Sequence, residues 1–130
     1  MASKKNVFIS FDYDNDEALR NLFAGQAKHT DSPFDIIDRS VKEPLQGDWK
    51  TKVKARVGRA DVVAVICGAN THTATGVAFE LQAAKDQSVP YFLLTGYKDK
   101  VCTKPTTASA ADKMYDWTWD NLKLLIHGSR

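Results

Sequence analysis

Apolar and polar positions along the chain follow two periods in turn, and the alternation predicts a succession of strands and helices. Val7-Phe8-Ile9-Ser10-Phe11 is a short β-branched and aromatic run, too brief for a helix and ended by acidic residues. Asp14 or Asp16 then caps a helix reaching about Lys28, with Leu19, Leu22 and Phe23 at i, i+3 and i+4 facing the core. The cluster Asp31-Ser32-Pro33 breaks that helix, and Phe34-Asp35-Ile36-Ile37 makes a second strand. After a loop with Pro44 and Gly47, Asp48 caps a second helix whose stripe is Trp49, Val53 and Val57 and whose stop is Gly58. Val62-Val63-Ala64-Val65-Ile66-Cys67 is apolar throughout, as suits a parallel strand covered on both faces. A third helix from about Thr75 to Gln87 carries Val77, Leu81 and Ala84. A fourth strand follows at Val89–Leu94, with Pro90 tolerable only at its start. Trp119 to His127 makes the last helix, with Leu122, Leu125 and Ile126 inward.

Strand and helix alternate, which argues for an α/β fold: an open parallel β-sheet of four to five strands with helices on both faces. Any fifth strand falls within 96–117. Such sheets bind ligands at the carboxyl ends of the strands, where strand order reverses. In a flavodoxin-like 2-1-3-4 order that point lies between the first and third strands, flanked by the loops Ser10–Asp14 and Gly68–Thr75.

Composition narrows the classes. The chain has 130 residues, 43% hydrophobic, which fits one domain spanning 1–130 with a core of its own. Its longest apolar stretch, Val62–Cys67, is far below the roughly 20 residues that a membrane span needs. The N-terminus has no signal-peptide apolar core, so a cytoplasmic protein without membrane attachment is expected. A net charge of +2 makes a poor case for nucleic acid, and Lys50, Lys52, Lys54, Arg56 and Arg59 read as a solvated helix flank. Cys67 and Cys102 form no disulfide framework or zinc pattern, and His29, His72 and His127 have no metal-ligand spacing, so no metal site is expected.

Three places carry candidate chemistry. Phe11-Asp12-Tyr13-Asp14 sets a ring and two carboxylates at a strand's carboxyl end. There the ring can stack on a base and a carboxylate can bind a ribose hydroxyl or cation, although Asp14 and Asp16 serve equally as helix caps. Gly68–Gly76 leaves backbone amides open before a helix N-terminus. It lacks both the dinucleotide and the P-loop fingerprints, and turn chemistry explains its Gly and Thr content as well. Glu80 lies beside the apolar stripe of the third helix, where a carboxylate needs a partner or faces a cavity. The plain alternative is a boundary residue that reaches water or pairs with Lys85.

In their order these pieces resemble the TIR domain, most closely the small TIR-like branch that includes the TIR-like component of bacterial Thoeris antiphage defence. Val7–Phe11 is similar to the opening strand, Asp38-Arg39-Ser40 and the Trp49–Arg59 helix to the variable loop region, and Arg59–Gly68 to the central strand. Thr75-Gly76-Val77-Ala78-Phe79-Glu80-Leu81 resembles the helix start bearing the family's glutamate, and Tyr115–Leu122 the aromatic C-terminal signature. The resemblance implies a flavodoxin-like sheet and, in many members, hydrolysis or cyclisation of NAD at the nicotinamide–ribose bond, with NAD as substrate and no separate cofactor. It assigns Glu80 as the catalytic residue, with Phe11, Asp12 and Tyr13 lining the site from the first strand and Asn70 and Thr71 approaching from the central one. Family members that cleave NAD often carry Trp four residues before the glutamate; here that residue is Gly76. The resemblance also implies self-association through TIR–TIR contacts, and it leaves room for a non-catalytic adaptor or a nucleotide-sensing module.

Overall fold

The computed structural model describes residues 5–28, 34–37, 49–97 and 101–127. In chain order these form β1 (Lys5–Ser10), α1 (Tyr13–Ala27), β2 (Phe34–Ile37), α2 (Trp49–Gly58), β3 (Val62–Cys67), a short 3-10 turn (Thr71–Thr73), α3 (Thr75–Asp86), β4 (Tyr91–Thr95), β5 (Met114–Asp116) and α4 (Trp119–Ile126). All five strands are parallel, in the order β2-β1-β3-β4-β5, the doubly wound arrangement that the alternating pattern predicts.

The strand sequences explain why helices cover both faces. β3 is the centre of the sheet and all six of its residues are buried. Its alternate side chains divide between two cores. Val62, Ala64 and Ile66 join Val7 and Ile9 of β1 and Phe92 and Leu94 of β4 under Leu19 and Phe23 of α1 and Leu122, Leu125 and Ile126 of α4. On the other face Val63, Val65 and Cys67 join Phe8 and Leu93 under Val57 of α2 and Val77, Leu81 and Ala84 of α3. Period-two strands meeting period-3.6 helices thus make two apolar layers around one sheet.

Several boundaries differ from the sequence expectation. β1 ends at Ser10, and α1 opens at Tyr13. The residue at the cap position is therefore Asp12, not Asp14 or Asp16. Leu22 is 63% exposed: Leu19 and Phe23, four residues apart, already supply the inward stripe, and Leu22 falls outside it. Pro90 precedes β4, where its carbonyl still accepts a hydrogen bond from the Val63 amide at 2.8 Å. β5 lies inside the 96–117 region, but strict alternation fails before it: among the described residues the β4–β5 crossover has turns and no helix. His29, Asp31-Ser32-Pro33, Asp38-Arg39-Ser40, Pro44, Gly47 and Asp48 lie outside the described residues.

Candidate active site

Among the described residues the buried polar side chains are Ser10, Asp12 and Thr71. All three follow from the carboxyl ends of β1 and β3, the two strands between which the order reverses. Burying a hydroxyl or carboxyl costs free energy unless it is bonded, and the strand ends where the order reverses are where sheets of this kind commonly bind ligands.

Glu80 reaches the same place from α3. Val77, Leu81 and Ala84 bury the helix against the sheet and leave Glu80 on the edge of that stripe, beside β1. The Ser10 hydroxyl donates to Glu80 Oε1 at 2.7 Å, across 70 residues of sequence. Glu80 as a whole is half-buried, and its carboxyl is the enclosed end. Burial pushes its pKa up from 4.5 to about 8, against the opposing pull of the Ser10 hydrogen bond. Among the described residues no cation is paired with it. Lys85 instead pairs with Asp112 at 3.0 Å and donates to the Thr107 carbonyl at 2.8 Å.

The loop after β3 is knitted by its own polar groups. Thr71 Oγ1 accepts from the Gly68 amide at 2.7 Å, and the Asn70 carbonyl accepts from the Thr73 amide and hydroxyl at 3.0 and 2.8 Å. Thr103, from the crossover, clamps it from outside: its amide donates to the Gly68 carbonyl at 2.9 Å, and its hydroxyl lies 3.1 Å from the His72 amide and 3.0 Å from His72 Nδ1. His72 itself is exposed, as a turn histidine should be.

The residues named from sequence separate into groups. Ser10 and Glu80 meet between β1 and α3, and Asp12 is buried just beyond the end of β1. Asn70 is exposed at the rim, and the Thr71 hydroxyl is committed to its own loop. Phe11 packs in the core on the α1–α4 face, the opposite side of the sheet from Glu80. Tyr13 is the first residue of α1. Gly76, one helical turn before Glu80, is open: a Cβ there would meet nothing within 4 Å. Ser10 has no site role in the sequence reading; the signal that finds it is a lone hydroxyl in an otherwise apolar buried strand. No group of three or more His, Cys, Asp or Glu among the described residues is placed to hold a metal, and no described helix is long and apolar enough to cross a membrane.

Comparison with known proteins agrees with this architecture. A crystal structure of a prokaryotic SEFIR domain superposes with a TM-score of 0.59 over 95% of this chain and 97% of that one, at 19% identity. That likeness establishes the fold. Residues 8–96 match the family described as Thoeris protein ThsB, TIR-like domain, and the chain belongs to that family. The match takes in the end of β1, β3 and α3, and with them Ser10 and Glu80. No curated protein matches the sequence.

Proposed function

We propose that this TIR-like domain cleaves NAD at the nicotinamide–ribose bond, releasing nicotinamide and either ADP-ribose or a cyclic ADP-ribose that serves as a signal in antiphage defence. The observation that carries the reading is the Glu80 carboxyl, enclosed at the switch point and bonded to a neutral hydroxyl. Breaking the C1′–N bond sends its electron pair into the pyridinium ring, so nicotinamide leaves neutral and needs no acid. One carboxylate then suffices where glycosidases need two. Its tasks are to hold the ribose hydroxyls, to stabilise the oxocarbenium-like centre, and to take the proton of the attacking water. In cyclisation an adenine nitrogen replaces that water at C1′. Asp12 and Asn70 stand at the same crevice for the remaining contacts. Phe11, buried on the far face, has a packing role, and Thr71 shapes the loop. A protomer associated through TIR–TIR contacts is part of this reading.

The test is incubation of concentrated protein with NAD, products being resolved by chromatography and mass. Wild type is expected to release nicotinamide, and Glu80→Gln to release none while staying folded. The mass of the second product separates hydrolysis from cyclisation. Because the ionised carboxylate is the active form, kcat/KM is expected to rise about tenfold per pH unit up to about 8 and then level. The kcat limb is expected at lower pH, since the bound pyridinium cation favours the carboxylate. A folded wild type that releases nothing would transfer the assignment to an association or nucleotide-sensing module.

A further inference from the structure

We propose that Ser10 is a positioning residue for Glu80: from the end of β1 it holds one carboxyl oxygen, Oε1, and so fixes the orientation in which the other meets the substrate. This rests on the assignment of Glu80 to the reaction. Ser10 is fully buried, on the face of β1 that it shares with Phe8. A strand at that position is served as well by Ala or Val, and an unbonded hydroxyl there carries a desolvation cost. What the hydroxyl obtains is a 2.7 Å bond to a side chain on another element. Glu has three side-chain torsions to settle, and a donor fixed on the sheet settles them before substrate arrives. A neutral donor also differs from a cation in consequence. An Arg or Lys at this place would neutralise the carboxylate, whereas Ser10 orients it and leaves its charge available to a cationic ribosyl centre.

Several charged and titratable groups among the described residues flank this pair. β1 contributes Asp12 just beyond its end, and β3 contributes Cys67. α2 sends Lys50 and Lys54 over the ring of Phe79, at 5.5 and 5.9 Å from its centroid. From the described part of the crossover, Thr107 reaches α3 through the Ala78 carbonyl at 2.7 Å.

The experiment combines two readouts on Ser10→Ala, Ser10→Thr and wild type. The first is the titration of the Glu80 carboxyl carbon by NMR in 13C-glutamate-labelled protein, assigned with Glu80→Gln. The second is the pH profile of kcat/KM for NAD. Ser10→Ala is expected to move the Glu80 titration to higher pH, because burial stays and the bond to the charged form is lost, and to lower kcat/KM at pH 7 by about tenfold per unit of that movement. Ser10→Thr is expected to return both toward wild type by keeping the hydroxyl. Should Ser10→Ala prove unfolded, Ser10→Cys, near in size and a weaker donor, is expected to fall between wild type and full loss. Identical Glu80 titration in wild type and a folded Ser10→Ala or Ser10→Cys overturns the proposal. The titration is read on the protein alone, so a wild type that leaves NAD intact strikes the reaction, while the titration still decides the Ser10–Glu80 coupling.

Discussion

The two ends of the sheet each hold a withdrawn carboxyl group, and the protein treats them in opposite ways. At the carboxyl end Glu80 has a single neutral donor among the described residues and is pushed up to about 8. At the amino end Asp112, just before β5, is likewise penalised by burial. There the Tyr91 hydroxyl at 2.6 Å, the Ser109 amide at 2.8 Å and the Lys85 ammonium at 3.0 Å overcome that penalty and hold it down at about 2. Tyr91 moves the other way, to about 12, through its own burial and the carboxylate it serves. Asp112 is charged across the whole physiological range and satisfied, which is what a structural tie requires. Glu80, with its single neutral donor, changes protonation near neutrality, as the reacting role proposed for it requires. The two environments push the carboxyls apart in opposite directions.

That contrast can be broken at either end. The largest effect is expected from Asp112→Ala, which leaves a half-buried ammonium and the Tyr91 hydroxyl without their acceptor; a loss of about 3 kcal/mol in urea unfolding at pH 7 is expected. Next comes Glu80→Gln. Wild-type Glu80 binds its proton more tightly folded than unfolded, so its contribution is fully present below about 4.5 and is lost as pH rises to about 8. The variant should therefore match wild type at pH 4 and exceed it in stability at pH 9, and calorimetry at the two pH values checks both. The smallest effect is Tyr91→Phe, expected to cost about 1–2 kcal/mol at neutral pH. The loss should shrink below about pH 3, because Asp112, depressed when folded, gives up its stabilising contribution as pH falls from 3.8 toward 2.

Sequence pattern reaches the layers of this fold because layers follow from local period. The stripe Val77, Leu81, Ala84, the apolar run of β3 and the inward face of α4 are each written within one element, and the structure buries all of them. Leu22 shows the limit of that logic, since a four-residue pair suffices for a helix lying on a sheet and the third apolar position is left to water. The site is legible only in part. Glu80 stands out as a carboxylate beside a core stripe, but its partner comes from 70 residues away and Lys85's from 27, and no periodicity records either. Phe11 illustrates the complementary error: one residue beyond the strand end, it follows the alternation of β1 and turns away from the site.

Among its described residues the β4–β5 crossover is a strap without a helix, fastened at intervals: Thr103 to Gly68, Thr107 to the Ala78 carbonyl, Lys85 to the Thr107 carbonyl, and Asp112 to Tyr91. Pro105 is the one buried residue among its described members, and the strand it delivers is three residues long. In native-state hydrogen exchange such a segment is expected to open below the global transition that guards β1 and β3. Since the same strap clamps the loop beside the crevice, each such opening also frees that loop. A slowly exchanging core and a readily opened loop are then expected side by side, since Gly68, which the strap holds, directly follows β3.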